Sequence, residues 1–188
     1  MKKLYTTVAA ALFALTALNP VAAQTSKEAE AKTKLQSFDQ QFGSVIIKGY
    51  SKIGSETGLY GGSLTVQSKE FVNAASGVKV YGLTFEVNSG SNKRESISFL
   101  DYDEIPSLLK GFEYISMVDK SATKLDGFEA SYKTKDDLVF TVFSSDNGTM
   151  LAVESGRIAS ARAYFKSSDI GKINDLIVAA KKKLDTIK

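Results

Sequence analysis

Twice along this chain, four short segments alternate apolar and polar residues, and a segment with an apolar period near 3.6 then follows. Alternation buries one face of a strand and the longer period buries one stripe of a helix, so the chain must pack helices on sheets. Val45-Ile46-Ile47 opens the first strand. Gly49, Gly54, Gly58, Gly61 and Gly62 then punctuate a loop or bulged hairpin before a second strand over 64–72. Tyr81, Leu83, Phe85 and Val87 alternate along a third strand, a Ser89-Gly90 turn leads to a fourth over 95–102, and Ile105, Leu108, Leu109, Phe112 and Ile115 share one helical face. The second half repeats the plan with strands over 127–134, 138–143, 149–154 and 158–165. A last helix carries Ile170, Ile173, Ile177, Ala180, Leu184 and Ile187 in one stripe. At an offset of 65 residues Phe99 falls on Tyr164, Leu100 on Phe165, Ile105 on Ile170, Leu108 on Ile173 and Phe112 on Ile177. The expectation is an α+β fold of two antiparallel ββββα units, a pseudo-repeat with two long amphipathic helices packed on the sheets. A single domain over 44–188 would hold both halves, about 44–120 and 121–188.

The first 23 residues read differently. Lys2 and Lys3 precede an apolar run from Leu4 to Leu18, Asn19-Pro20 breaks it, and Val21-Ala22-Ala23 supplies small residues. That order predicts a secretory signal peptide cleaved after Ala23. Residues 24–43 then form a helical leader: Thr25-Ser26-Lys27-Glu28 has capping-box spacing, and a helix over 26–41 would stop at Gly43 and dock through Leu35, Phe38 and Phe42.

Two absences restrict the chemistry. Without cysteine there are no disulfides, thiolate nucleophiles or thiolate metal sites, and no lipid-modified cysteine follows Ala23. Without histidine there is no Ser-His-Asp hydrolysis, no imidazole-bound zinc and no imidazole pH switch. Beyond Ala23 the chain carries 22 basic and 21 acidic residues, a net charge of +1, which gives no general attraction to nucleic acid or anionic lipid. No other apolar run reaches the ~20 residues that span a bilayer.

Several groups are candidates for chemistry. Asp101, Asp103 and Glu104 form the densest carboxylate group; they could hold a hard cation, but they stand directly before a helix, where acidic residues cap free N–H groups. Ser107-Leu108-Leu109-Lys110 has the Ser-x-x-Lys spacing of penicillin-binding proteins and serine β-lactamases and resembles their nucleophile motif. Lys133-Thr134-Lys135 lacks the glycine of their Lys-Thr-Gly, so a surface serine is the expectation. The glycines between Gly49 and Gly62 lack a phosphate-loop ending and read as turns and bulges. A pair for glycoside cleavage could be drawn from Asp101, Asp103, Glu104, Asp136, Asp137 and Glu154. Tyr81, Phe85, Tyr132, Phe140, Phe143 and Tyr164 lie in strands, where rings are core or line an open sheet face. Arg94, Arg157 and Arg162, the only arginines, stand in or beside the fourth strand of a half. The expected binding surface combines Tyr81, Phe85, Arg94, Tyr132, Arg157 and Arg162.

The order of elements is similar to that of Whirly-type single-stranded DNA-binding proteins, whose domain is built from two such units. The 99–115 segment also looks like one found in small uncharacterised exported bacterial proteins, which implies no activity. The Whirly resemblance implies a two-unit α+β domain; its DNA binding is not carried over, because export and a charge of +1 oppose it. The function expected is therefore an exported, non-catalytic binding or scaffolding protein of the bacterial cell envelope, periplasmic or secreted, with no cofactor. Its partner would be an envelope protein or a glycan. A carboxylate-dependent hydrolase and a nucleic-acid-binding module are the alternatives.

Overall fold

The computed structural model describes residues 31–90, 93–146 and 148–188; the expected signal peptide and the expected Thr25-Ser26-Lys27-Glu28 capping box lie outside them. Strands β1 (Ile46–Thr57), β2 (Ser63–Asn73), β3 (Lys79–Asn88) and β4 (Glu95–Asp101) form sheet A. Strands β5 (Glu129–Lys133), β6 (Val139–Ser145), β7 (Gly148–Ser155) and β8 (Ala161–Lys166) form sheet B. Each is an antiparallel meander in which consecutive strands are neighbours. Helix α2 (Ile105–Ser116) follows sheet A and helix α3 (Ile170–Asp185) follows sheet B; a short helix α1 (Lys34–Asp39) precedes both.

The glycine-rich stretch is mostly strand. β1 runs through Gly49 and Gly54 with a bulge between Lys52 and Gly54, and a 3-10 turn at Leu59–Gly61 joins it to β2. Packing explains two of the glycines: a Cβ on Gly54 would stand 2.6 Å from a Leu176 methyl of α3, and one on Gly58 would strike the Tyr164 carbonyl of β8.

The helices exchange sheets. α3 lies against β1 and β2, while α2 lies against β5 and β6, and the two helices also touch each other. The sheets meet through β3 against β7 and β8. Leu64, Val66, Leu83, Phe85 and Leu100 of sheet A thus share one core with Phe140, Val142, Leu151, Val153 and Phe165 of sheet B, closed by Ile105, Leu108 and Phe112 of α2 and Ile173, Ile177 and Leu184 of α3. Ile187, the last position of the expected α3 stripe, is instead 46% exposed beyond the helix end. Phe140 is the hub of the rings: Phe112 stands 5.1 Å and Phe85 6.1 Å from it, both edge to face, the orientation that aligns ring edges with π faces. Buried hydroxyls serve the same junction, with Ser98 and Ser155 2.7 Å apart between the sheets and Ser68 donating to the Ala180 carbonyl of α3.

The leader helix is shorter than its pattern suggests. Among the described residues it spans only Lys34–Asp39, starting from a capping box between Thr33 and Gln36. Asp101 accepts from the N–H groups of Lys34 and Leu35, and Leu35 is buried against Gly82, where any Cβ would meet its methyl group and the Leu100 carbonyl. Phe42 does not dock and is 85% exposed. No helix among the described residues is long and apolar enough to cross a membrane.

Candidate functional site

Each residue of the acidic group before α2 joins elements. Asp101 caps α1, Asp103 pairs with Lys34 at 2.6 Å, and Glu104 accepts from the Lys135 N–H at 2.9 Å. The Lys34 ammonium, through hydrogen bond and charge, holds the Asp103 carboxyl below its usual range. The remaining oxygen of Glu104 is buried without a partner, and no cluster of three or more metal-ligating side chains occurs among the described residues.

The β5–β6 turn, which the sequence shows only as Lys135-Asp136-Asp137, gathers more contacts. Asp136 accepts from the Phe99 N–H of β4 and from Gln36 of α1, and Asp137 pairs with Lys32 and Lys133. Burial raises the Asp136 carboxyl despite its bonds; at Asp137 burial also acts upward, but the two lysines prevail and lower it. A raised carboxyl loses stability as pH rises through its folded value, and a depressed one loses stability as pH falls through its own. These neighbours therefore oppose each other. Glu86 is raised as well, but the depressed groups Glu70, Asp103, Asp119, Glu154, Asp169 and Asp185 outnumber it. The melting temperature is expected to stay level from pH 8 to about pH 5 and to fall below about pH 4, where carboxylates paired in the native state protonate; a melting series across that range checks it.

The six residues expected to make one surface are dispersed. Phe85 is fully buried, which removes it from any surface; Tyr81 is half-buried on the inner face of sheet A; Tyr132 lies inward against Gly111 of α2, where burial and the charge of Glu104 raise its hydroxyl. Arg94 is exposed beside the start of β4, Arg157 is exposed 4.0 Å from Asp137, and only Arg162 stands on an open sheet face. Ser107 and Lys110 are exposed on α2.

That open face is the outer side of sheet B. Strand register sets its side chains in three rows: Glu129, Phe143, Met150, Lys166; then Ser131, Thr141, Ala152, Tyr164; then Lys133, Val139, Glu154, Arg162. Ala152 is the smallest of them and leaves a hollow of about 230 Å³, bordered by Phe143, Tyr164, Thr141, Glu129, Glu154 and Arg162. Phe143 and Tyr164 stand 6.3 Å apart, edge to face. Arg162 pairs with Glu154, which also accepts from Ser160 at 2.7 Å. Burial acts upward on Glu154, but the Ser160 and Arg162 bonds outweigh it and keep the carboxyl below its usual range. Sequence parity points to this face: in β8, Ala161, Ala163 and Phe165 are buried while Arg162, Tyr164 and Lys166 alternate with them. The outer face of sheet A, by contrast, is partly covered by α1 at Gly82.

On that sheet A face, Glu86 of β3 lies near Glu95 of β4, and the hydrogen bond the two carboxyls share, followed by burial and charge, raises Glu86. Glu95→Gln is therefore expected to stabilise the fold by about 0.2–1 kcal/mol at pH 7, the scale of cross-strand pairs, with the gain shrinking as pH falls through the raised value of Glu86. Urea titrations at pH 7 and in acid test this, and no gain at pH 7 would contradict it.

A larger cleft, about 880 Å³, runs between α2 and the start of α3, with Leu109, Phe112, Ile170 and Val178 along it and Ser116, Thr149, Ser167 and Asn174 at its polar positions. Asp119, on its border, is already bonded to the N–H and hydroxyl of Ser121. No protein-family model matches the chain, no curated protein is similar to it, and no solved structure matches it.

Proposed function

We propose that the chain is exported through a signal peptide over residues 1–23, cleaved after Ala23, and acts without catalysis as a binding protein of the bacterial cell envelope, with the outer face of sheet B as its contact surface. The observation that carries this reading is the set of three rows across β5–β8, where the rings of Phe143 and Tyr164, the Thr141 hydroxyl, Glu129 and the Arg162–Glu154 pair surround a hollow made by Ala152. Glu129, Ser131, Lys133, Arg162 and Lys166 on that face are exposed. We also read the two ββββα halves as a structural repeat whose amphipathic helices have exchanged sheets.

The chemistry of the face favours binding over hydrolysis. A general acid in glycoside cleavage needs a raised carboxyl, whereas Glu154 is held ionised by its partners. Nucleic acid is disfavoured because three basic and two acidic side chains leave the face at +1, far from the cationic track a phosphate backbone requires.

Ala152→Arg fills the hollow and adds a charge without touching the core face. In fractionated cells the wild-type protein is expected to sediment with the envelope and the folded variant to be released into the soluble fraction. Equal retention of both would overturn the assignment of this face.

A further inference from the structure

Resting on that reading of the sheet B face, we propose that the hollow over Ala152 binds a single neutral pyranose ring of a glycan. The argument is one of complementary chemistry. A pyranose presents an apolar C–H face and a girdle of hydroxyls, each both donor and acceptor. The hollow offers the matching inventory: the rings of Phe143 and Tyr164 for the C–H face, and Glu154 as acceptor beside the Arg162 donors for adjacent hydroxyls. The hydroxyls of Ser131 and Thr141, 2.9 Å apart, continue the polar side in the same row as Ala152.

Charge and size decide among ligand classes. The Arg162–Glu154 pair is internally neutralised and Glu129 leaves the border of the hollow at −1, which disfavours an anion; a cation would compete with Arg162 for Glu154, while a neutral polyol hydrogen-bonds to both partners with the pair intact. At about 230 Å³ the hollow is smaller than the ~300–1,000 Å³ of sites that enclose drug-sized molecules, which suits one ring of a chain that continues along the open face. The pre-formed ion pair also fixes two long side chains before the ligand arrives, reducing the ordering cost of binding.

The test is an amide-resolved NMR titration of the isotopically labelled exported protein with methyl glucopyranoside, methyl galactopyranoside, methyl mannopyranoside and N-acetylglucosamine, each alone. At least one sugar is expected to shift the Thr141, Ala152 and Tyr164 amides saturably. Tyr164→Ala should weaken that binding about two- to tenfold, the effect of losing one ring contact, and Glu154→Gln should weaken it while leaving the fold's amide spectrum otherwise intact. Shifts absent for all four sugars, or unchanged in Tyr164→Ala, would overturn the glycan assignment. Because Ala152→Arg in the fractionation assay reads contact through this face whatever the ligand, failure with sugars alongside release of that variant would refute the pyranose and leave the face standing.

Discussion

Made separately, the two halves of this protein are expected to remain unfolded. A fragment ending at Val118 retains β1 and β2 but lacks α3, the helix that covers them; a fragment starting at Asp119 retains β5 and β6 without α2. Each would expose fully buried side chains, among them Leu64, Val66 and Leu83 in the first and Phe140, Val142 and Leu151 in the second. Burying one such side chain is worth about 1.5–3 kcal/mol, so exposing several of them in each fragment is comparable to the whole 5–15 kcal/mol by which a domain is stable. Circular dichroism and amide exchange on each fragment should show no cooperative transition and no protected core, and mixing them should restore both. A cooperative melt from either fragment alone would contradict the exchange of helices between sheets.

Phe140→Ala is expected to cost about 3–5 kcal/mol, the range for emptying a buried aromatic site. The reason is its position between Phe85 and Phe112, where both rings lose their edge-to-face partner and the cavity opens at the meeting point of both sheets and α2. Phe143, three residues along the same strand, points to the outer face, so Phe143→Ala should cost under about 1 kcal/mol. Urea denaturation of the two variants measures the contrast, and Phe140→Leu, which keeps much of the volume, should fall between them. Equal losses at the two positions would contradict the assignment of faces in sheet B.

Much of the fold is legible because burial here follows simple periods. The alternation of Leu83, Phe85 and Val87 identifies β3, and the spacing of Ile105, Leu108, Phe112 and Ile115 identifies α2, since each pattern lines one face of its element. The stripe of α3 is equally plain, but nothing local to it says which sheet it covers; that depends on Leu176 meeting Gly54 of β1, a contact far away in sequence. The glycines around β1 read correctly as bulge and turn residues at Gly54 and Gly61, but nothing local shows that Gly54 and Gly58 also let α3 and β8 approach closely.

The polar roles were harder to read than the apolar ones. Asp101, Asp103 and Glu104 stand out as a cluster, yet their partners, Lys34, Leu35 and Lys135, come from α1 and the β5–β6 turn. Asp136 looks like an ordinary turn residue and instead satisfies the Phe99 N–H on the free edge of β4. The hollow was partly legible: the parity of Arg162, Tyr164 and Lys166 marks an outer face, but only the register that brings Phe143 and Ala152 beside Tyr164 makes it a site.

The most direct test of that contact surface is a photo-crosslinking amino acid placed in the living cell at Thr141, with Tyr114, an exposed position on α2, as the comparison. Irradiation is expected to give a discrete envelope adduct from position 141 and none from position 114. Adducts of equal yield at both positions, or at 114 alone, would contradict the assignment of the sheet B face.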